Sequence, residues 1–266
     1  MFLAIDCGNT NIVFALYRDV TKAEPIIWRC QTSGKKTADE YASWLSPLLQ
    51  LESVSFNDIK NILIASVVPD VNFNLCRLCD KYIGVTPEFI RNDGTNAGLQ
   101  IGLPAPVKIG ADQIVNAVAA IHTYGAPVVV IDFGTATTFD IVNEKGVFIG
   151  GIIAPGVNLS VEALHNAAAL LPKISIARPE HVIGQNTVEA MQTGLFWGYV
   201  SMIEGLAKRV AGEMGVKPTF IATGGLATLF SDAIEMIDQA DPNLTLEGLR
   251  LIHTRNEGEG RIVSIA

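Results

Sequence analysis

The chain has 266 residues, 49% of them apolar and 17% charged, which is enough to bury one large core or two medium ones. Its net charge is −8 with Lys and Arg scattered along the sequence, so nucleic acid is not expected as a partner. The longest apolar stretch, 147–157, is broken by glycines and a proline and no basic apolar leader precedes Asp6, so a cytoplasmic protein with no membrane span is expected.

In chain order, residues 2–17 run apolar, then glycine and polar, then apolar again, the pattern of two strands joined by a tight turn that starts at Asp6. A helix is predicted over 37–51, where Tyr41, Trp44, Leu45, Leu48 and Leu49 recur at helical spacing. A buried strand follows at 61–67, a helix at 71–82, and a glycine- and proline-rich loop at 92–110, a length that is often functional. Of Cys7, Cys30, Cys76 and Cys79, only the last two have metal-like spacing. No second pair completes a zinc site, so free buried thiols on one helix face are expected.

The stretch 111–122 predicts a further helix with Asp112 in its first turn. The opening theme then returns in VVVIDFGTATTFDIV at 128–142, where Asp132 and Gly134 repeat Asp6 and Gly8. Helices at 158–171 and 187–212, a strand at 218–222, a helix after Gly225 and a short closing strand near 261–265 complete the pattern. This alternation predicts an α/β protein of two similar lobes with mixed sheets flanked by helices, 1–118 carrying the first turn and 119–266 the second.

In each Asp-x-Gly turn the glycine lets the backbone approach a phosphate. Groups from Asn9, Thr10, Asn11, Thr135, Thr137 and Thr138 are then placed to bond its oxygens. Asp6 would position Mg²⁺ through water and Asp132 a second cation, since hard ions prefer oxygen ligands. A single turn of this kind reads as an ordinary hairpin with Asp as turn former; its repetition favours phosphate binding. At Gly110-Ala111-Asp112-Gln113 a carboxylate meets a helix N-terminus and is expected to stay ionised with a low pKa. There it either orients a substrate hydroxyl or merely caps the helix. Asn186 to Glu189 has the form of a capping box, which makes a structural role for Thr187 open. Ala222-Thr223-Gly224-Gly225 suits a nucleotide sugar or phosphate but is common in α/β proteins. His165, in an alanine-rich helix, reads as a core or interface histidine or as a substrate contact.

Taken in order, DCGNTN at 6–11, GADQ at 110–113, DFGTATT at 132–138, GGIIAPG at 150–156, GQNT at 184–187 and ATGG at 222–225 resemble the type III pantothenate kinases, as does PNLTLEGL at 242–249. The resemblance implies the actin-like ATPase (ribonuclease H-like) fold and a homodimer with its interface in the C-terminal lobe. It also implies ATP as donor with Mg²⁺ and a monovalent cation, K⁺ or NH₄⁺, and phosphorylation of pantothenate to 4'-phosphopantothenate, the first step of coenzyme A biosynthesis. On the matching positions, Asp6, Cys7, Gly8, Asn9, Thr10, Asn11, Ile12, Val13 and Thr135 would bind ATP and Asp132 the monovalent cation. Asp112 would be the proton acceptor, and Gly110, Ala111, Asp112, Gln113 and Thr187 would contact pantothenate, with His165 reaching the partner subunit's substrate.

One position departs from the pattern. The family usually reads Gly-x-Asp-Arg, with the arginine on the acidic substrate, whereas this chain has Gln113. Glutamine carries no charge and offers no guanidinium fork. Lys108, two residues before the motif, is a candidate for the missing charge. The departure keeps two alternatives in view: a nucleotide-binding regulator without turnover, and a kinase for another small hydroxy acid.

Overall fold

The computed structural model describes residues 1–22, 24–104, 107–168 and 170–258. They form two compact units, Met1–His122 rejoined by the chain from Leu244 onward, and Thr123–Asn243. The sequence reading placed a single boundary at 118/119 and kept the C-terminal segment with the second lobe; the chain instead crosses back.

In the first unit β1 (Phe2–Cys7) pairs antiparallel with β2 (Asn11–Tyr17), which pairs antiparallel with β3 (Ile26–Gln31). After α1 (Ala38–Leu51), β4 (Asn61–Ser66) returns parallel to β1. The helix α2 (Pro69–Leu78) then leads through a π-helical turn to the short β5 (Glu88–Phe89), parallel to β4. The strand order is β3-β2-β1-β4-β5. Because successive side chains alternate faces along a strand, Leu3, Ile5 and Cys7 enter the core shared with Tyr41, Leu45 and Leu49 of α1 and Leu75 of α2, while Asp6 belongs to the opposite face. Full burial of an aliphatic side chain such as Leu45 is worth about 1.5–3 kcal/mol. Thr37 starts α1 through a capping box: its hydroxyl accepts the Glu40 N–H and the Glu40 carboxylate accepts the Thr37 N–H at 2.7 Å.

The stretch 92–110 is tied at its base, where the Asn92 side-chain amide donates to the Ile109 carbonyl at 2.6 Å, and it includes the two-residue β6 (Gln100–Ile101). The helix α3 (Ala111–Tyr124) follows.

The second unit repeats the plan. β7 (Val128–Phe133), β8 (Ala136–Val142) and β9 (Val147–Pro155) form an antiparallel meander. After α4 (Val157–Ala167) and α5 (Thr187–Met214), β10 (Thr219–Gly224) lies parallel to β7. After α6 (Ala227–Ser231), β11 (Gln239–Ala240) lies parallel to β10. Within this unit the order is β9-β8-β7-β10-β11, the same path as β3-β2-β1-β4-β5. Val129, Ile131 and Phe133 face the core formed with α5 and α6, and Asp132 takes the opposite face, as Asp6 does.

The chain closes with α7 (Leu244–Asn256), which packs on β1 and β4. No helix was predicted here. Gly248 at its middle weakens the local signal, yet any Cβ there would overlap the Val115 backbone of α3, so close packing of the two helices selects glycine. The strand expected near 261–265 lies outside the described residues. Cys79 is buried in the first unit's core and Cys76 is partly buried; both are free thiols.

Candidate active site

The first turn is set by register. Asp6 stands opposite Val13 on one side and Ala65 on the other, at the end of β1 where the strand gives way to Gly8. The Gly8 N–H donates to the Asn11 carbonyl at 3.1 Å and closes the turn. Asn9, Thr10 and Asn11 are exposed on it, whereas the Cys7 and Ile12 side chains lie in the core, so these two have only backbone to offer a ligand. Burial pushes the Cys7 thiol up to about 11, aided by the nearby Asp6 charge and opposed by a hydrogen bond with Ser66. It is a packing residue and not a nucleophile.

The second turn matches it. Asp132 stands opposite Thr138 on β8 and Thr223 on β10, and the Gly134 N–H donates to the Ala136 carbonyl at 3.0 Å. Thr135 is exposed at its tip. Thr137, expected to reach phosphate, is fully buried on the core face instead, because alternation along β8 turns it inward with Phe139. Gly224 ends β10 with φ +89°, and a Cβ there would collide with Asp132 Oδ1 and the Phe133 backbone. The glycine therefore lets β10 run directly under the Asp132 carboxylate. Gly224 of the ATGG motif is thus explained by contact with Asp132 and Phe133, which its local pattern did not reveal.

At the start of α3 the Gln113 side-chain oxygen accepts the Gly110 N–H at 3.1 Å, the Gln113 N–H donates to Asp112 Oδ1 at 2.8 Å, and the Ile114 N–H donates to the Gly110 carbonyl at 3.1 Å. Gln113 thus performs the reach-back half of a capping box. The Asp112 carboxyl keeps some solvent contact but is densely surrounded. Desolvation raises its pKa above the ordinary value, outweighing the lowering by backbone N–H groups of Gln113 and Asp112. This reverses the low pKa expected from the helix N-terminus alone: dipole stabilisation is a local term, and burial by surrounding chain exceeds it. Lys108 is exposed.

Two further predicted residues lie on helices of the second unit. Thr187 is the exposed first residue of α5, behind the N-cap Asn186, whose side chain accepts the Glu189 N–H at 3.0 Å. The Glu189 carboxylate reaches the Gln185 N–H at 2.8 Å rather than the N-cap's own. His165 is exposed on α4, its Nδ1 2.8 Å from the Leu171 carbonyl, which rules out the core alternative. Missed altogether in the sequence was Thr32, whose hydroxyl and N–H both bond the first turn; a lone threonine after a strand carries no pattern that would have found it.

Comparison with known proteins identifies the family. The family described as type III pantothenate kinase matches residues 2–209. A type III pantothenate kinase from Paramagnetospirillum magneticum is 52% identical over 257 residues, covering 96% of this chain and 98% of the relative. The one from Halalkalibacterium halodurans is 48% identical over 256 residues, covering 96% and 100%. Among solved structures, a Baf family transcriptional activator from Campylobacter jejuni superposes with TM-score 0.60 at 17% identity, covering 96% of this chain and 99% of that one. A 2-dehydro-3-deoxygalactonokinase from Sinorhizobium meliloti gives 0.58 at 13%, covering 96% and 99%. At such identity these two speak for a shared fold alone. With the family matched across most of its length and relatives near half identical over nearly all of it, this chain belongs to the type III pantothenate kinase family.

Proposed function

We propose that this protein transfers the γ-phosphoryl group of ATP to the primary hydroxyl of pantothenate, giving 4'-phosphopantothenate and ADP. Family membership supports this reading. The observation that carries it is the duplicated turn: two aspartates at the same place in two topologically matched sheets, each followed by a closed glycine turn with exposed polar tips. Asn9, Thr10, Asn11 and Thr135 would bond the phosphates. Gly110 to Gln113 would hold pantothenate, and Thr187 and His165 are the remaining candidate contacts.

Asp112 is the proposed proton acceptor. Its raised pKa makes it a stronger base than an ordinary carboxylate. The substrate oxygen forms its bond to the γ-phosphorus as the bond to the β-phosphate oxygen breaks, and the hydroxyl proton passes to Asp112. Phosphoryl transfer depends mainly on such positioning and on charge stabilisation.

Asp6 and Asp132 suit hard cations: both are partly buried oxygen donors, and Gly224 leaves room beside Asp132 for close backbone approach. An Mg²⁺ ion held by one carboxylate would complete its shell with phosphate oxygens and water. Asp132 is the proposed holder of the monovalent cation. When bound, these ions supply charge neutralisation at the phosphates. A cytoplasmic homodimer is part of the same proposal; the exposed Ile149 and Ile153 on β9 and Leu159 and Leu164 on α4 support an interface there.

The test is ATP- and Mg²⁺-dependent phosphorylation of pantothenate by the purified chain, with K⁺ present or replaced by Na⁺. Turnover that needs K⁺ supports the proposal. ATP binding without turnover at millimolar pantothenate would redirect it to a regulator or to another hydroxy acid.

A further inference from the structure

Thr32 follows the last residue of β3 and lies outside every motif discussed above. Its hydroxyl donates to the Gly8 carbonyl at 2.6 Å and its N–H donates to the Thr10 carbonyl at 3.0 Å. Together with the Gly8 N–H bond to the Asn11 carbonyl, three carbonyls of the 8–11 turn are engaged by protein donors. One residue therefore grips the turn at two points, through side chain and main chain. Thr32 itself is partly buried, while Asn9, Thr10 and Asn11 are exposed.

This grip has a directional consequence. In a planar trans peptide the C=O and the following N–H point to opposite sides. Fixing the Gly8 carbonyl on the Thr32 hydroxyl therefore fixes the Asn9 N–H outward. An anion needs N–H groups presented and carbonyls withdrawn, since an outward carbonyl would repel phosphate oxygens. Loss of the hydroxyl removes the bond that holds the Gly8 carbonyl and loosens the orientation of the 8–9 peptide.

We propose that Thr32 is a positioning residue for the first phosphate turn: its hydroxyl holds the Gly8 carbonyl inward so that the Asn9 N–H is presented to an ATP phosphate. The proposal rests on the kinase reading and deepens it. The main-chain bond to Thr10 is available to valine, serine or alanine at this position, so the side chain's share is separable from the sheet pairing.

The experiment compares Thr32→Val, which keeps the shape and loses the hydroxyl, with Thr32→Ser, which keeps the hydroxyl, in the full chain. ATP affinity is measured by calorimetry and steady-state constants are measured for both substrates. Thr32→Val is expected to raise the ATP Kd and KM about tenfold, the effect of one hydrogen bond with a carbonyl left unsatisfied, with pantothenate KM unchanged. Thr32→Ser is expected to stay within about twofold of wild type. If valine prevents folding, Thr32→Ala is the hydroxyl deletion. An ATP KM unmoved by loss of the hydroxyl, equal losses in Val and Ser, or a lowered Tm with both KM values intact would overturn the assignment. A wild-type chain that binds no ATP would instead overturn the kinase reading, and that is read before any variant is made.

Discussion

Replacing Gln113 by arginine restores the pattern usual in the family and separates two roles at one position. In this chain the Gln113 side-chain oxygen accepts the Gly110 N–H at 3.1 Å. Arginine has five donors and no acceptor, so the reach-back bond is lost. Loss of a cap costs about 1 kcal/mol, which at this chain length corresponds to a Tm lower by about 2–4 °C. Against that, a guanidinium can form a charge-assisted bond with the pantothenate carboxylate worth about 1.5–3 kcal/mol, or roughly a ten- to hundredfold lower pantothenate KM. Gln113→Arg is therefore expected to melt earlier and to bind substrate better. Gln113→Glu keeps the acceptor and adds a repelling charge, so it should melt near wild type and bind worse. The assays are thermal unfolding without ligand, and initial rates against pantothenate at saturating ATP. An arginine variant with wild-type Tm would show that the cap carries no weight, and an unchanged KM would remove the substrate carboxylate from the reach of residue 113.

Three further outcomes are expected. Asp112→Asn should abolish turnover yet hold or raise the Tm at pH 7. Because burial raises the carboxyl's folded pKa above 3.8, its favourable contribution is present below 3.8 and is lost as pH rises through the folded value. The advantage of the variant should therefore vanish in acid, and a lower Tm at pH 7 would refute the desolvation argument. Gly224→Ala should cost about 2–4 kcal/mol, combining left-handed backbone strain with overlap at Asp132 and Phe133; denaturant titration measures it, and a loss below about 0.5 kcal/mol would contradict the packing. Lys108→Ala should raise the pantothenate KM several-fold without moving Tm, since the side chain is exposed; an unchanged KM ends the idea that it replaces the missing arginine.

How much of this was legible follows from the range of each interaction. The 2–17 and 128–142 patterns encode strand, closed turn and strand because a two-residue alternation and a glycine are local instructions, and β1–β2 and β7–β8 form as read. The start of α5 was legible for the same reason: Asn186 with Glu189 completes its bond within one turn. Thr137 was misplaced among the phosphate contacts although the same alternation, applied one residue at a time, turns it into the core.

The sequence by itself determined the duplicated turns, their aspartates, the α/β character and the family. Tertiary structure alone decided the return of α7 to the first unit, the direction of Asp112's titration, and the roles of Gly224, Gly248 and Thr32. Propensity, periodicity and capping act over a few residues and are written in the order of the chain. Desolvation and close approach depend on groups brought near only after folding: Val115 beneath Gly248, Asp132 beside Gly224, Gly8 under the Thr32 hydroxyl. No local pattern records those distances, because they belong to the packed sheet and not to any one segment.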